Sequence, residues 1–139
     1  MPEATGNPSR FLHSTRTKYE QRFSYSRAVR HGSAIRVAGT AGLDENGDPV
    51  EGGVAAQTHR ALEIVRRALA DLGASLDDVV MTRVYVSDAS NIQTVAGIHG
   101  EVFRDIRPAA TIVKVDFIDP RILVEIEAEA VYGGADAKR

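Results

Sequence analysis

Three glutamates at alternating positions near the end of the chain are the first residues with the types and spacing for chemistry. They are Glu125, Glu127 and Glu129 in the segment LVEIEAEAVY, where small or apolar residues separate them. Alternation with a period of two is typical of a strand that has one apolar and one polar face. A carboxylate on such a face can position or activate water if burial raises its pKa. The row is also compatible with a solvated structural face, so both interpretations stay open.

Basic side chains recur at strand spacing elsewhere. Arg36 in AIRVAG, Arg83 in VVMTRVYV and Lys114 in TIVKV each alternate with apolar residues. If these strands share a sheet with the glutamates, the ionisable groups fall on one face. The predicted opposite, apolar face comprises Ile35, Val37, Val80, Thr82, Val84, Val86, Val113 and Val115. The charged face is either solvated or an interface or cleft where opposite charges pair. Apolar and aromatic residues on it favour the interface; they are Val79, Met81 and Tyr85.

Metal and cofactor motifs are missing from the sequence. The chain has no cysteine, which excludes disulfides, thiolate nucleophiles and cysteine-based zinc sites. No two of its four histidines have metal-ligand spacing, and His99 on the apolar side of a helix is predicted to be a hydrogen-bonded core or boundary residue. DENGDPVEGGVA has Pro49 and Ala55 where a calcium loop needs Gly and Glu, so it is a turn. No phosphate-binding glycine motif occurs. We therefore expect no metal and no cofactor.

The 139 residues are expected to form a single domain, with an irregular arm over 1–20 and a frayed tail over 133–139. The net charge of -2 lacks the basic face of a nucleic-acid-binding protein. No apolar stretch reaches the length of a membrane span, and the N-terminus does not resemble a secretion signal. We expect a cytoplasmic protein that binds neither nucleic acid nor membrane.

Two helices and several strands must position the candidate residues. Apolar residues recur at helical spacing from Val54 to Leu72, and a second, weaker pattern runs from Asn91 to Ile106. Two strands precede the first helix, one lies between the helices and two follow the second. This order predicts an α+β domain of two layers, a mixed sheet with both helices packed on one face.

The order of these motifs resembles the RidA/YjgF family of reactive intermediate deaminases. The resemblance rests on GSAIRVAGTAGLDENGDPVEGGVAAQTHRALEIVRRALADLGASLDDVVMTRVYVSD, then RPAATIVKV, then VEIEAEAV, and spans about residues 23–132. It implies a chorismate-mutase-like fold and a homotrimer. It also implies three small-molecule clefts between subunits, on the sheet face opposite the helices. Active members hydrolyse enamines and imines to 2-keto acids and ammonia.

The resemblance further implies a carboxylate clamp that this chain lacks. Active members bind the substrate carboxylate with the arginine of a Pro-Ala-Arg motif, since its planar guanidinium donates two parallel hydrogen bonds to a carboxylate. The matching residues here are Pro108, Ala109 and Ala110, so the clamp position has no functional group. Ile112 in the same strand is expected to line the cleft. Arg107 is the nearby candidate replacement, although the following proline is expected to hold it in extended geometry.

Other positions that match the family site are mixed. Tyr25 matches the cleft tyrosine, although by pattern alone it is simply a strand aromatic. Glu125 matches the water-positioning glutamate, and Gly39 matches a glycine that offers its backbone. Ala38 and Ala96 stand where the family has serine and asparagine. The sequence thus resembles the arginine-lacking branch of the family.

Three functions follow as hypotheses. The first is a trimeric enzyme that hydrolyses an imine, enamine or related small molecule at Glu125, with weak or absent activity on standard 2-imino acids. The alternative is a trimer that binds a metabolite or a protein partner without turnover. Ribonuclease activity, a name often attached to the family, is disfavoured by the acidic balance and the lack of a basic or aromatic track.

Overall fold

A single mixed sheet organises the fold. The computed structural model describes residues 2–133. The strands are β1 (Glu3–Ala4), β2 (Arg10–His13), β3 (Ala28–His31), β4 (Ala34–Ala41), β5 (Val79–Val86), β6 (Ala109–Lys114) and β7 (Val124–Val131). Their order in the sheet is β1-β2-β3-β4-β7-β5-β6. Every neighbouring pair is antiparallel except β5 and β6, which are parallel. The predicted mixed sheet of an α+β fold is therefore confirmed.

Two helices cover one face of this sheet, and the opposite face is called the outer face below. Helix α2 (Gly53–Asp71) agrees within one residue with the predicted helix and buries Ala61, Val65 and Leu69 in the core. Helix α3 (Ile92–Val102) ends four residues earlier than predicted and buries Val95 and Ile98. Both helices pack on the helix-facing side chains of the central strands in one hydrophobic cluster. No helix within residues 2–133 is long and apolar enough to cross a membrane.

The first twenty residues are more regular than the predicted arm. Strands β1 and β2 extend the sheet beyond β3, and a third helix, α1 (Lys18–Phe23), follows them. The helix begins with a capping box, in which the Thr17 hydroxyl accepts from the Glu20 N–H at 3.1 Å and the Glu20 carboxylate accepts from the Thr17 N–H at 3.3 Å. Elements this short do not establish a periodicity, which explains the wrong prediction. The predicted frayed tail, 133–139, lies outside the described residues except for Gly133.

A β-bulge in β4 changes the face on which later side chains lie. The register with β7 steps from Val37 opposite Ala128 to Thr40 opposite Ile126. One extra residue is therefore inserted at Ala38 and Gly39, as is usual where a strand redirects a side chain. Because of this insertion Thr40 faces the helices, where only 1% of it is exposed.

A second bulge, in β5, reverses one predicted face assignment. Val79 is opposite Ala130 and Met81 is opposite Glu129, so Val80 is the extra residue. Val79 is accordingly buried and Val80 is 51% exposed, the reverse of the predicted alternation. A strict period of two is lost at a bulge, and nothing in VVMTRVYV marks its position.

The faces of edge strand β6 also differ from the prediction. Val113 is opposite Tyr85 of the outer face, whereas Lys114 is opposite the buried Val86 and lies on the helix-facing side. Ile112, opposite Val84, packs against the core. The segment AATIVK has small or apolar residues at both its odd and its even positions, so its pattern does not distinguish the two faces of the strand.

Candidate functional site

Glu125 is the only one of the three alternating glutamates without a partner. It is half-buried on the outer face between Tyr85 and Ala41, its neighbours on the adjoining strands. Within residues 2–133 its carboxylate makes no hydrogen bond and no ion pair. Burial raises the pKa of Glu125; the charge of Arg27 opposes this rise and Glu127 adds to it. A carboxylate in this state can bind a water molecule or the N–H of a ligand.

Glu127 and Glu129 are held by cross-strand partners. The Tyr85 hydroxyl donates a hydrogen bond to Glu127, and this bond raises the pKa of Tyr85. Glu129 accepts ion pairs from Arg83 at 2.8 Å and from Arg36 at 3.4 Å. The predicted pairing of opposite charges across this face therefore occurs within one protomer, except for Lys114, which lies on the other side. Glu127 and Glu129 are thus held by cross-strand partners, whereas Glu125 has none within residues 2–133.

Gly39 in the β4 bulge is where the backbone approaches the Glu125 carboxylate. A Cβ atom built at Gly39 would lie 2.7 Å from Oε1 of Glu125. Any other residue would therefore displace the carboxylate. The bulge and the glycine together let Glu125 lie against the β4 backbone.

The side chain of Arg27 connects the β4 bulge to helix α1, and no pattern in the sequence selects this residue. Its guanidinium is buried, donates hydrogen bonds to the Gly39 carbonyl and, at 3.3 Å, to the Thr40 hydroxyl, and faces Glu20 at 3.8 Å. Its Cζ lies 5.8 Å from the centroid of the Tyr25 ring. Arg27 thus connects Glu20 of α1 with the β4 bulge in a single cluster.

Glu20 fixes the position of Arg27 from the N-terminal side. The carboxylate is 3% exposed and accepts hydrogen bonds from the Ser14, Thr15 and Thr17 hydroxyls and from the Thr15 and Thr17 amides. Burial alone would raise its pKa, but the hydrogen bonds and the charge of Arg27 outweigh burial and lower it. The signal for this residue was available in the sequence as the capping box Thr17-x-x-Glu20.

Tyr25 lies beside this cluster on the solvent side. It follows Ser24, which ends α1 in the left-handed conformation, and it is 43% exposed. Its ring lines a cleft of about 770 Å³ between α1 and the outer face of β1–β3. Tyr25, Gly39 and Glu125 therefore lie in one region of the outer face, with Arg27 beside Tyr25 and bonded to Gly39.

Ala110 does not belong to the same cluster within one protomer. Its register position is opposite Thr82, which faces the helices, whereas Glu125 is opposite Tyr85 on the outer face. Thr82 and Tyr85 are three residues apart along β5, which corresponds to about 10 Å. Ile112 lies on the same side of β6 as Ala110.

Arg107 has a conformation different from the predicted one. Its φ is 54°, in the left-handed region, and its N–H donates to the Phe103 carbonyl at 2.9 Å, which closes the turn after α3. The expected extended geometry before Pro108 is therefore wrong, because this hydrogen bond prevails over the preference imposed by the proline. The side chain is exposed and makes no contact with the Glu125 cluster.

His99 is a structural residue. Its Nε2 is 2.8 Å from the Thr82 hydroxyl, and its ring lies 4.6 Å from that of Phe103. Burial lowers the pKa of His99, so it is neutral at physiological pH. Within the described part of the chain, no group of three or more histidine, aspartate and glutamate side chains is arranged to hold a metal ion.

Comparison with known proteins agrees with this fold. A crystal structure of a YjgF/YER057c/UK114 family member from Mycobacterium tuberculosis is 43% identical, with a TM-score of 0.80 over 88% of this chain and 99% of that one. The 3-aminoacrylate deaminase RutC of Acinetobacter baylyi is 34% identical over 76% of this chain and 85% of its own length. The human 2-iminobutanoate/2-iminopropanoate deaminase is 33% identical over 78% and 80%.

A family model is matched by most of the folded chain. The model described as endoribonuclease L-PSP matches residues 15–132, from the loop before α1 to the end of the sheet. Together with the sheet order and the relatives above, this match shows that the chain is a member of the RidA/YjgF family.

Proposed function

We propose that this protein is a small-molecule hydrolase that acts on an imine, enamine or related C–N compound, with Glu125 positioning the attacking water. The observation that carries the proposal is the state of Glu125. This carboxylate is half-buried, has a raised pKa and has no hydrogen-bond or ion-pair partner within residues 2–133, and a Cβ at Gly39 would lie 2.7 Å from its Oε1. A raised pKa lets one carboxyl group accept a proton from water and return it to a leaving amine near neutral pH. The named deaminase relatives support this reaction class.

The standard 2-imino acids are expected to be poor substrates. Ala110 lacks the guanidinium that would clamp the substrate carboxylate, and Ala38 and Ala96 lack the polar groups of the family pattern. Loss of a charge-assisted pair in a desolvated site typically costs several kcal/mol of transition-state stabilisation. We therefore infer that the protein represents the arginine-lacking branch and prefers a substrate without a carboxylate next to the reacting carbon.

The clefts are proposed to form between subunits of a homotrimer. Ala110 and Ile112 lie on the opposite side of the sheet from Glu125, so these residues contribute to one cleft only if they come from neighbouring subunits. Strand β6 is an edge strand, and its exposed face includes Val113, which is 41% exposed. An unpaired strand edge with an exposed apolar residue favours association with another chain.

The second candidate is a trimer that binds a metabolite without turnover. It is favoured by the same three alanines, because catalytic contacts that act as a unit lose most of their effect when several are removed. Glu125 would then serve as a hydrogen-bond acceptor for the ligand instead of a base.

Activity on imines generated by coupled oxidases tests the proposal. An amino-acid oxidase supplies the 2-imino acids, and an amine oxidase supplies imines without a carboxylate. 2-Iminopropionate and 2-iminobutanoate should be hydrolysed near the background rate, whereas imines without a carboxylate should be hydrolysed faster, and Glu125→Gln should abolish that difference. Glu127→Gln is unsuitable as a control because it removes the negative charge that accepts the Tyr85 hydrogen bond beside Glu125. Glu45→Gln, in an exposed turn, should have no effect. If no imine is turned over but one binds in calorimetry, the binding protein is the correct assignment.

A further inference from the structure

The cleft between α1 and the outer face of β1–β3 contains two arginines that the proposed hydrolysis does not use. Arg10 projects from β2 and Arg16 from the loop before α1, and both line the cleft together with Tyr25. Both side chains are exposed, and neither makes an ion pair or a side-chain hydrogen bond with another residue in 2–133. Arginines that are accessible and unpaired at the wall of a cleft are suited to bind an anionic group in a bidentate manner.

The loop that carries Arg16 is held rigidly in an unfavourable backbone conformation. Arg16 has φ of 56°, in the left-handed region that non-glycine residues rarely adopt. Its own N–H donates to the Ser14 hydroxyl at 2.9 Å, and both of its neighbours are bound to the buried Glu20 carboxylate through amide and hydroxyl groups. Strained residues that the surrounding structure holds in place are concentrated at ligand-binding sites. The backbone from which the Arg16 side chain projects is therefore held in place by hydrogen bonds.

The charges around the cleft favour an anion. Glu20 also lines it, but this carboxylate is saturated by hydrogen bonds and neutralised by Arg27. Glu3 is the other acidic residue of the lining, and its single negative charge is outnumbered by the positive charges of the two arginines. A pocket of about 770 Å³ accommodates a metabolite of moderate size.

We propose that Arg16 and Arg10 form an anion-binding site for a carboxylate or phosphate group of a small molecule in this cleft. The anionic group is thereby recognised on the α1 side of the protein, not at position 110. This inference does not require turnover at Glu125, since it concerns binding alone.

Calorimetric titration with 2-oxoglutarate and, separately, with inorganic phosphate tests the site in the full-length protein. Arg16→Gln should weaken binding of the preferred anion by on the order of tenfold or more, the loss expected for one charge-assisted contact. Glu3→Gln should strengthen binding, because it removes the opposing charge. The wild-type affinity should fall as salt is added. Binding of 2-oxoglutarate alone identifies a carboxylate site, and binding of phosphate alone identifies a phosphate site.

Two further variants separate binding from folding. Arg16→Gly should bind as weakly as Arg16→Gln yet unfold at the same or a higher urea concentration, because glycine adopts a positive φ without strain. Arg22→Gln, on α1 but outside the cleft, should bind like the wild type. Equal affinities for wild type and Arg16→Gln, or no binding of either anion, would overturn the inference. Glu125→Gln should keep the anion affinity, so failure of the proposed hydrolysis is distinguishable from failure of this site.

Discussion

The guanidinium of Arg27 donates a hydrogen bond to the carbonyl oxygen of Gly39, the residue against which the Glu125 carboxylate lies. One buried side chain therefore holds the β4 bulge in place and supplies the positive charge nearest to the candidate water-positioning group. Through this hydrogen bond Arg27 positions the bulge, and its charge opposes the rise that burial causes in the pKa of Glu125.

The first prediction concerns the pKa of Glu125. Arg27→Gln removes the charge that opposes the effect of burial, so the pKa of Glu125 should rise further. An activity that needs the ionised carboxylate should therefore begin to fall at a higher pH as the solution is acidified. Arg27→Lys keeps the charge and should leave the pKa closer to that of the wild type. The measurement is a pH titration of the Glu125 side-chain carbon by NMR.

The groups around Glu125 define the control for that titration. Glu127 and Tyr85 lie on the outer face together with Glu125. Glu20 pairs with Arg27. Arg36 pairs with Glu129, further along the sheet. Arg36→Gln should therefore leave the Glu125 titration unchanged. Identical titrations for wild type and Arg27→Gln would show that the arginine does not act on this carboxylate.

The second prediction concerns stability and the Glu20 carboxylate. Because Glu20 is buried, hydrogen-bonded and close to Arg27, Glu20→Gln should lower the free energy of unfolding by about 3 kcal/mol at pH 7. The folded-state pKa is lowered, so this contribution is present above the unfolded-state value of about 4.3 and is lost as the pH falls through the folded value. Urea unfolding at several pH values measures the difference. Glu45→Gln, in an exposed turn, should have almost no effect.

The third prediction compares two glycines of the β4 region. A Cβ at Gly39 would meet only the flexible end of Glu125, so Gly39→Ala should cost little stability but displace the carboxylate and abolish any function that depends on it. A Cβ at Gly42 would lie 2.3 Å from the Gln57 carbonyl oxygen and close to two other backbone atoms of α2. Gly42→Ala should therefore destabilise the protein strongly. A large loss of stability in Gly39→Ala would contradict the proposed geometry.

The fourth prediction concerns the missing clamp. In an Arg16→Gln background, which removes the anion site proposed above, Ala110→Arg should introduce weak, salt-sensitive binding of 2-oxobutanoate that this parent lacks, because the added guanidinium supplies a carboxylate partner. Full activity should not return while Ala38 and Ala96 remain. Since Ala110 and Glu125 lie on opposite faces of one protomer, the new site should exist only in the assembled protein. Calorimetry on parent and variant decides this, and equal affinities would mean that residue 110 does not face the cleft.

The fifth prediction concerns assembly. Light scattering at micromolar concentration should give about three times the chain mass of 15.0 kDa. Val113→Glu, on the exposed outer face of the edge strand, should shift the protein toward monomer, because it places a charge at an apolar contact. Ala70→Glu, on the exposed side of α2, should keep the wild-type mass. A monomeric wild type would exclude the proposed clefts between subunits.

The correct part of the fold prediction rests mostly on the periodic spacing of apolar residues in the helices and strands. Helix α2 was predicted within a residue at each end because its apolar stripe is long and continuous. The alternation in β7 was equally clear, since both neighbouring strands cover it and one of its faces is fully buried. These features follow from burial, which a single sequence records directly.

The errors concern features that burial patterns do not encode. The bulge at Val80 shifts a face without any residue type that marks it, and β6 has apolar residues on both faces because it lies at an edge. Arg27 was missed because a buried arginine is indistinguishable in sequence from an exposed one until its partner Glu20 is located. Tyr25 and Gly39 became candidates through resemblance to a family. Glu125 was one of three glutamates indicated by their alternation, and the resemblance alone distinguished it from the other two.

The bulge in β4 also determines which mutations of this segment preserve the fold. Substitutions at Ala38 or Ala110 leave the sheet register intact, so the lining of the proposed cleft can change at these positions one residue at a time. Deletion of a single residue at the bulge would instead turn Thr40 and every later side chain of the strand to the wrong face. Diversification of this site is therefore expected to proceed through replacement, with the length of the segment between Val37 and Gly42 preserved.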